Sequence, residues 1–334
     1  MKNSAEMKRI PGIAVAGLVA VLAAPLSPQS DAQAQPYPAK LIRIIVPLPV
    51  GNPPDFVARI IAQHLTTAFG QQVIVDNRPG AGGTIGAAAA AKSPADGYTL
   101  LLASTSTLSI SPSLYSNPGY DPITSFAPVS IVATAPFLVV VHPSVPARTM
   151  KELIALAKSR PGQLNFGSAG SGTPPHIAGE MLNTVAGVKM VHVPYKGIVP
   201  AVSDLLSGRI ELMIEQLQPM AQYIQAGRIR PLAVASLKRH PQLPDLSTTA
   251  EAGFPGYEVI AWNGFVAPSG TPADVLKRLN VEVVKALQAK EVRDGLFNQG
   301  LIPASSSPEE FATFIAREYA RWSRAVKASG ARVD

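Results

Sequence analysis

Hydrophobic and polar positions along the chain switch repeatedly between two periods. Leu41 to Pro47, LIRIIVP, is a β-branched apolar run of strand length. After the Pro/Gly loop LPVGNPP comes DFVARIIAQHLTTAFG, where Val57, Ile60, Ile61, His64, Leu65 and Ala68 fall on one helical stripe. Asp55 reads as the N-cap of that helix and Gly70 as its stop. QVIVDN predicts a strand, RPGAGG a turn, TIGAAAAAK a short helix and YTLLLAS another strand. Farther on, PFLVVVHP, LNFGS, VKMVHVPY, IELMIE, IRPLAVAS and YEVIAWNGFVAP read as strands. Between them, TMKELIALAKSRPG, PAVSDLLSGR and PMAQYIQAGR read as helices, the first with Thr149 and Glu152 at capping-box spacing. The C-terminal part predicts two helices, one with Thr271 as cap and Pro272 at its first position, one with Ser307 as cap and Glu310 three residues on.

This βαβα order predicts an α/β fold, mainly parallel sheets flanked by helices. No linker separates two domains in the pattern, so a two-domain chain would cross between them more than once. Ligands of such sheets bind at the carboxyl ends of strands and in clefts between domains.

The first residues change the picture of length and address. Lys2, Lys8 and Arg9 precede an apolar stretch from Ile10 to Leu26, and Ala32-Gln33-Ala34 offers a small-x-small cleavage site. That is the three-part order of a secretory signal peptide over residues 1–34. The apolar stretch is interrupted by Pro and Gly and is shorter than the roughly 20 residues that span a bilayer. Cleavage would leave 300 of the 334 residues, a length that usually forms two domains. The chain has no cysteine, which excludes disulfides, Cys–zinc sites, cysteine nucleophiles and a lipidated cysteine anchor. An exported chain without disulfides fits the bacterial periplasm. Removing three basic and two acidic residues with the signal takes the net charge from +7 to +6. The Lys and Arg are scattered, with no basic run or aromatic–basic motif, so the charge predicts no nucleic-acid partner and favours small anions instead.

Catalytic templates fail in turn. There is no G-x-S-x-G, no G-x-x-x-x-G-K-[ST] and no H-E-x-x-H, and GAGGTIG (Gly80 to Gly86) has Ile85 where a dinucleotide turn needs glycine. None of the five histidines pairs with another at metal-ligand spacing, so no metal or cofactor is expected. His64 reads as core, His142 and His240 as loop residues and His192 as a strand residue. His176, at a helix start, either donates to an anion or caps the turn. What recurs is strand, small polar loop, helix: VPLPVGNPPD and NFGSAGSGTPPH both present backbone N–H groups near a helix start, where the dipole favours negative charge. STSTLSIS adds the hydroxyls of Ser104, Thr105 and Thr107 at a third strand end, and VPYKG adds Tyr195 and Lys196 at a fourth.

In order along the whole chain after the signal, YPAKLIRIIVPLPVGNPPD, DNRPGAGGTIGA, SPADGYTLLLAS, YDPITSFAPVSIVA, LNFGSAGSGTPPHIAGE, VHVPYKG, LPDLSTTAEAGFPGYEV and WNGFVAP resemble the Bug family, periplasmic solute receptors of tripartite tricarboxylate transporters. The resemblance implies a two-domain periplasmic binding protein of Venus-flytrap, type II-like form, monomeric, not an enzyme. It would take a small organic carboxylate between residues 35–136 with 257–334 and residues 137–256, and deliver it to membrane subunits of the transporter. Two loops would act as pincers on one carboxyl group: Pro49, Val50, Gly51, Asn52 and Asp55 in the first, and Ser168, Ala169, Gly170, Ser171 and Thr173 with His176 behind them in the second. Ser104 and Thr105 match a hydroxyl-bearing segment, and Tyr195, Lys196 and Gly197 a pocket wall. Two departures stand out. The first pincer usually reads P-x-P-P-G-G-x-x-D, whereas Val50, Asn52, Pro53 and Pro54 reshape it here. A strand end often reading F-D-N is Ile214-Glu215-Gln216, each polar side chain one methylene longer. Glu215 either receives a ligand amino group or is a solvated strand-end acid. Alternative outputs are a ligand-presenting partner of a membrane kinase and, farther off, a periplasmic enzyme using Ser171 and His176.

Overall fold

Strand-length apolar runs and helical stripes become elements in the order the pattern predicts. The computed structural model describes residues 37–331, with Gly12 alone ahead of them, so the signal segment read over 1–34 lies, Gly12 apart, outside the described residues. First come β1 (Ile42–Val46), α1 (Pro53–Phe69), β2 (Val73–Asn77), α2 (Thr84–Ala91) and β3 (Thr99–Ser104). A π-helix over Thr105–Ile110 leads into the short α3 (Ser111–Leu114). Then follow β4 (Phe126–Val141), α4 (Met150–Ser159), β5 (Asn165–Ser168), α5 (Pro174–Ala186), β6 (Val191–Pro194), α6 (Ile198–Leu206), β7 (Leu212–Gln216), α7 (Leu217–Gln225) and β8 (Arg230–Val234). The last elements are β9 (Ile260–Pro268), α8 (Ala273–Gln288), α9 (Lys290–Asn298), the two-residue β10 (Ile302–Pro303) and α10 (Pro308–Ser329).

The strands share one sheet path, β2-β1-β3-β9-β4-β7-β5-β6, with β8 and β10 also on β4. Parallel pairing holds the three outer strands at each end, β2-β1-β3 and β7-β5-β6. The strands that join them are antiparallel: β3 to β9, β9 to β4 and β4 to β7. The long β4 belongs to both ends. Up to Pro136 it pairs with β9, and from Phe137 it pairs with β7 on one edge, with β8 joining from Leu138 on the other. Helices cover both faces of each half. Ile44, Leu65, Phe265 and Leu279 pack on one face of the first half, and Ile45, Trp262 and Phe311 on the other. Phe137, Phe166 and Leu182 pack on one face of the second half, and Leu138, Met213 and Leu205 on the other. Each such fully buried side chain contributes about 1.5–3 kcal/mol.

Several boundaries differ from the sequence reading. The N-cap of α1 is Asn52, and Asp55 is the third helical residue, because the Pro53-Pro54 pair starts the helix earlier. The N-cap of α8 is Pro272, and the Thr271 hydroxyl donates instead to the Pro268 carbonyl at 2.8 Å. β4 starts ten residues before the predicted run. Pro128 and the small residues around it masked that first half, and the structure accommodates Pro128 at a register shift against β9. α9, interrupted by Gly295, had no clear stripe to announce it. His240, read as a plain loop residue, is 2% exposed. No helix among the described residues is long and apolar enough to cross a membrane.

One close contact fixes the helix that matters most for the site. α5 lies so near β5 that a Cβ on Gly179 would sit 2.1 Å from the Phe166 ring. The glycine lets α5 settle onto the strand and sets where its N-terminus points.

Candidate functional site

Helices α1 and α5 start alike, α1 with Pro53-Pro54-Asp55 and α5 with Pro174-Pro175-His176. Proline suits the first helical positions because an amide there has no intrahelical partner. Before each pair stands an extended N-cap, Asn52 or Thr173, whose side chain does not cap its own helix. Before each N-cap stands a left-handed glycine, Gly51 at φ 86° or Gly172 at φ 77°. The third helical residue reaches back to that glycine. Gly51 N–H donates to Asp55 Oδ2 at 3.0 Å, and Gly172 N–H donates to His176 Nδ1 at 3.0 Å. The two loops are thus one design, Gly-x-Pro-Pro-Asp and Gly-x-Pro-Pro-His.

Both helix starts reach one cleft. Pro53, Pro54 and Pro174 line it with Ser104, Thr105 and Ser106 after β3 and Gln216 at the end of β7. Ala261, Trp262 and Asn263 of β9 add a wall that Leu48, Ala135 and Leu301 complete. The empty space is about 620 Å³, part of it open to solvent, which suits a small molecule.

In the first loop Asp55 is an internal brace, 3% exposed. Its carboxylate also accepts from Arg59 Nε at 3.0 Å and from Asn77 Nδ2 at 2.9 Å, and Asn77 Nδ2 donates in addition to the Leu48 carbonyl at 3.1 Å. Burial works to raise the Asp55 pKa, but the bonds from Arg59, Gly51 and Asn77 outweigh it and hold the carboxyl below its ordinary range. Asn52 Nδ2 donates to the Pro49 carbonyl at 3.1 Å, closing the turn, and Val50 stands out at the loop tip, 69% exposed.

The second loop is braced from the sheet side. Ser168 is fully buried: its hydroxyl donates to the Gly170 carbonyl at 2.9 Å, accepts the Gly170 amide at 3.1 Å and lies 2.7 Å from His192 Nε2. Thr173 Oγ1 donates to the same Gly170 carbonyl at 2.7 Å. Tyr195 N–H donates to the Ser168 carbonyl and Gly197 N–H to the Ala169 carbonyl, which ties the Tyr195-Lys196-Gly197 segment to the loop. The Tyr195 hydroxyl donates to Asp204 at 2.8 Å, and the Lys196 and Ser171 side chains are exposed. His176 stacks on His192 with ring centroids 3.8 Å apart and planes 17° from parallel. Burial lowers the pKa of His176, while burial and the facing His176 ring push that of His192 down to about 4. Through Nδ1, His176 caps the turn.

Between the loops, the π-helix gives the β3 end its hydroxyls. Ser104 N–H donates to Thr107 Oγ1 at 2.9 Å and Thr107 N–H to Ser104 Oγ at 3.4 Å, a reciprocal cap. Thr105 Oγ1 accepts the Trp262 amide at 2.9 Å, which joins β9 to the same corner. π-turns are frequent at functional sites.

A family model for the tripartite tricarboxylate transporter family receptor matches residues 57–331. Protein BugT of Bordetella pertussis is 37% identical over 332 residues, 99% of each chain. The Rhodopseudomonas palustris protein Rpa4515, solved with adipate, is 38% identical with a TM-score of 0.74, covering 89% of this chain and 100% of that one. MatC of the same organism, solved with bound malate, is 30% identical with a TM-score of 0.70, covering 87% and 100%. The chain belongs to the tripartite tricarboxylate transporter receptor family. As a receptor of that family, the Bug group included, it is a two-domain α/β solute-binding protein and not an enzyme. Among the described residues no cluster of His, Asp or Glu could hold a metal.

The end of β7 places two polar side chains differently. Gln216 reaches the cleft wall. Glu215 is 7% exposed, which removes the solvated reading. Its Oε1 accepts the Gln216 amide at 2.9 Å, and burial pushes its pKa up to about 7. Of the lining residues, sequence reasoning named Ser104, Thr105 and Gln216 and missed the rest, Trp262 and Asn263 among them, as it missed His192 as a loop support. The motif W-x-G-x-x-A-P was the one available signal for Trp262 and Asn263.

Proposed function

We propose that this receptor captures a small organic carboxylate in the cleft between residues 35–136 with 257–334 and residues 137–256. It then delivers its ligand, as a single exported chain in the periplasm, to the membrane subunits of a tripartite transporter. The observation that carries the reading is that Pro53, Pro54 and Pro174, at the starts of two long helices, line one cleft with three consecutive hydroxyl residues and Gln216. Prolines at those starts offer no N–H, so anion recognition falls to loop amides such as those of Asn52 and Ser171, to Ser104–Ser106 and to the Gln216 amide. Each helix end contributes roughly 0.3–1 kcal/mol toward an anion, up to ~2 when partly buried. Wall residues come from both bodies, so a bound ligand favours closure by hinge motion where β4 changes partners. Adipate on Rpa4515 and malate on MatC support a ligand of this class.

The test is calorimetry and thermal shift with protein stripped of co-purified ligand, against a panel of mono- and dicarboxylates that includes adipate and malate. Heat of binding and a raised Tm with at least one member is expected. Silence across the panel sinks the carboxylate reading, and mass spectrometry of what leaves the denatured protein then names the true ligand class.

A further inference from the structure

The first loop is braced by a charged carboxylate, but the second is braced by a ring that must be neutral to do the same work. His176 Nδ1 accepts the Gly172 amide at 3.0 Å, so its proton sits on Nε2. Protonation at Nδ1 would turn that acceptor into a donor pointed at another donor. The ring has little room to turn away: it is 6% exposed and stacked at 3.8 Å on His192. His192 is itself packed against Phe166, ring centroids 5.1 Å apart, and held at 2.7 Å from buried Ser168 Oγ. Ser168 bonds both the amide and the carbonyl of Gly170, so the two imidazoles and one serine fix the loop from Ser168 to Thr173.

We infer that His176 and His192 form a stacked neutral pair that positions the second clamp loop, and that protonating the pair releases the loop and with it the hold on an anionic ligand. The inference rests on the reading of the cleft as an anion site.

Of the other groups, Glu215 also titrates near this window, its pKa raised by burial to about 7, but losing its charge on acidification would strengthen rather than weaken the hold on an anion. Titratable groups on the elements packed around the rings are Glu180 on α5 itself, Tyr195 and Lys196 past β6, Glu215 on β7, Asp204 on α6, and Glu309, Glu310, Arg317, Glu318, Tyr319, Arg321, Arg324 and Lys327 of α10; β5 and the π-helix carry none. Several are engaged elsewhere: Glu180 with Asn183, Tyr195 with Asp204, and Glu318 with Arg321 and Trp322. The charge that bears on His192 is the His176 ring, and His176 is shifted by burial alone. Both imidazoles are held below the ordinary range near 6.5, so the neutral pair's contribution is full above that value. It is lost as pH falls from there toward about 4. Asp55, with its pKa lowered, stays charged through the same window, so the first loop serves as an internal control.

The experiment has two arms. In the first, adipate affinity is measured by calorimetry at pH 7.5 and pH 5.0 for the wild type and for His176→Asn and His192→Gln, which place a non-titrating amide where each ring nitrogen was. Adipate's own protonation affects every protein alike. The affinity ratio between the two pH values is expected to be about tenfold larger in the wild type than in the variants. Equal ratios, or a wild-type affinity that rises on acidification as a cationic ligand contact would give, overturn the inference. In the second arm no ligand is used: the Gly172 amide resonance should titrate between pH 6.5 and 4 in the wild type and be flat in His176→Asn, while the Gly51 amide stays unchanged. A flat Gly172 resonance in the wild type overturns the inference whatever adipate does. Failure of adipate to bind the wild type at pH 7.5, with Gly172 titrating as described, counts against the carboxylate reading alone.

Discussion

The two loops that start α1 and α5 have the same backbone design and different electrostatics. Both run Gly-x-Pro-Pro, and both use the third residue of the following helix to hold the glycine amide at 3.0 Å. In the first loop that residue is Asp55, whose negative charge is balanced by Arg59 and which also accepts a hydrogen bond from Asn77. In the second it is His176, uncharged and stacked on another imidazole. On the proposed reading of the cleft as a carboxylate site, the difference is useful. A fixed negative brace at one helix start needs a nearby cation to avoid repelling the ligand, and Arg59 supplies it with Nη2 at 3.0 Å from Asp55 Oδ1. A neutral brace at the other start leaves the positive helix end unopposed. Shape is therefore conferred by a shared turn, while the response to protons is assigned to one loop.

The strongest way to break the pairing is Asp55→Ala. It removes the acceptor for Gly51, Arg59 and Asn77 at a buried position. The expected loss is about 2–4 kcal/mol in urea unfolding, since the stranded donors cannot all rehydrate. Asp55→Asn, which keeps an acceptor oxygen but not the charge, should lose less. Because the Asp55 pKa is lowered, the wild-type advantage over Asp55→Asn should be present above the ordinary carboxylate range near pH 4 and fade as pH falls below it. An Asp55→Ala protein as stable as wild type would mean that the loop is held by its prolines alone.

Much of this design was legible in the residues. Strand, small polar loop and helix recur around Gly51 and Gly172, and local sequence carries them because turn glycines, N1 prolines and helical stripes are all short-range signals. His192 was not legible. It supports Ser168 across 24 residues and pairs in register with Phe166, a relation set by strand order. Trp262 and Thr105 meet across 157 residues through the β3–β9 pairing, and no local pattern announces a contact of that range. The π-helix escaped for a different reason: TSTLSI has neither a clean strand alternation nor a helical stripe, and its geometry depends on the Ser104–Thr107 cap. Asp55 was read as the N-cap, whereas the proline pair starts the helix earlier and makes it the third helical residue.

A smaller effect probes how each helix is seated. Gly179→Ala places a methyl against Phe166 and must push α5 off β5. The expected loss is about 1–3 kcal/mol, typical of overpacking a filled core. Its binding effect should fall on the second loop alone, because α5 carries that loop's proline start and the first loop belongs to α1. Hydrogen exchange measures this directly: the Gly172 amide should exchange faster while the Gly51 amide keeps its wild-type rate. Equal acceleration of both amides would mean that the loops are coupled through the cleft rather than braced separately.

The smallest predicted effect is the most demanding test of the shared design. Gly51→Ala and Gly172→Ala both force a side chain into the left-handed region, at φ 86° and 77°. A Cβ on Gly51 would meet nothing within 4 Å, so its cost is conformational rather than steric. At pH 7.5 both variants should lose about 1 kcal/mol of stability, the usual left-handed penalty. They should differ by little, because the turn is the same and both braces are intact. At pH 5 the two should part. Asp55 remains charged and the Gly51→Ala loss is unchanged, whereas partial protonation of the imidazole pair has already weakened the second turn in the wild type, so Gly172→Ala has less left to lose. Paired urea melts at the two pH values give the four numbers needed. A Gly172→Ala loss that stays constant with pH would show that the neutral brace and the charged one behave alike, and the electrostatic contrast between the loops would then have no thermodynamic consequence.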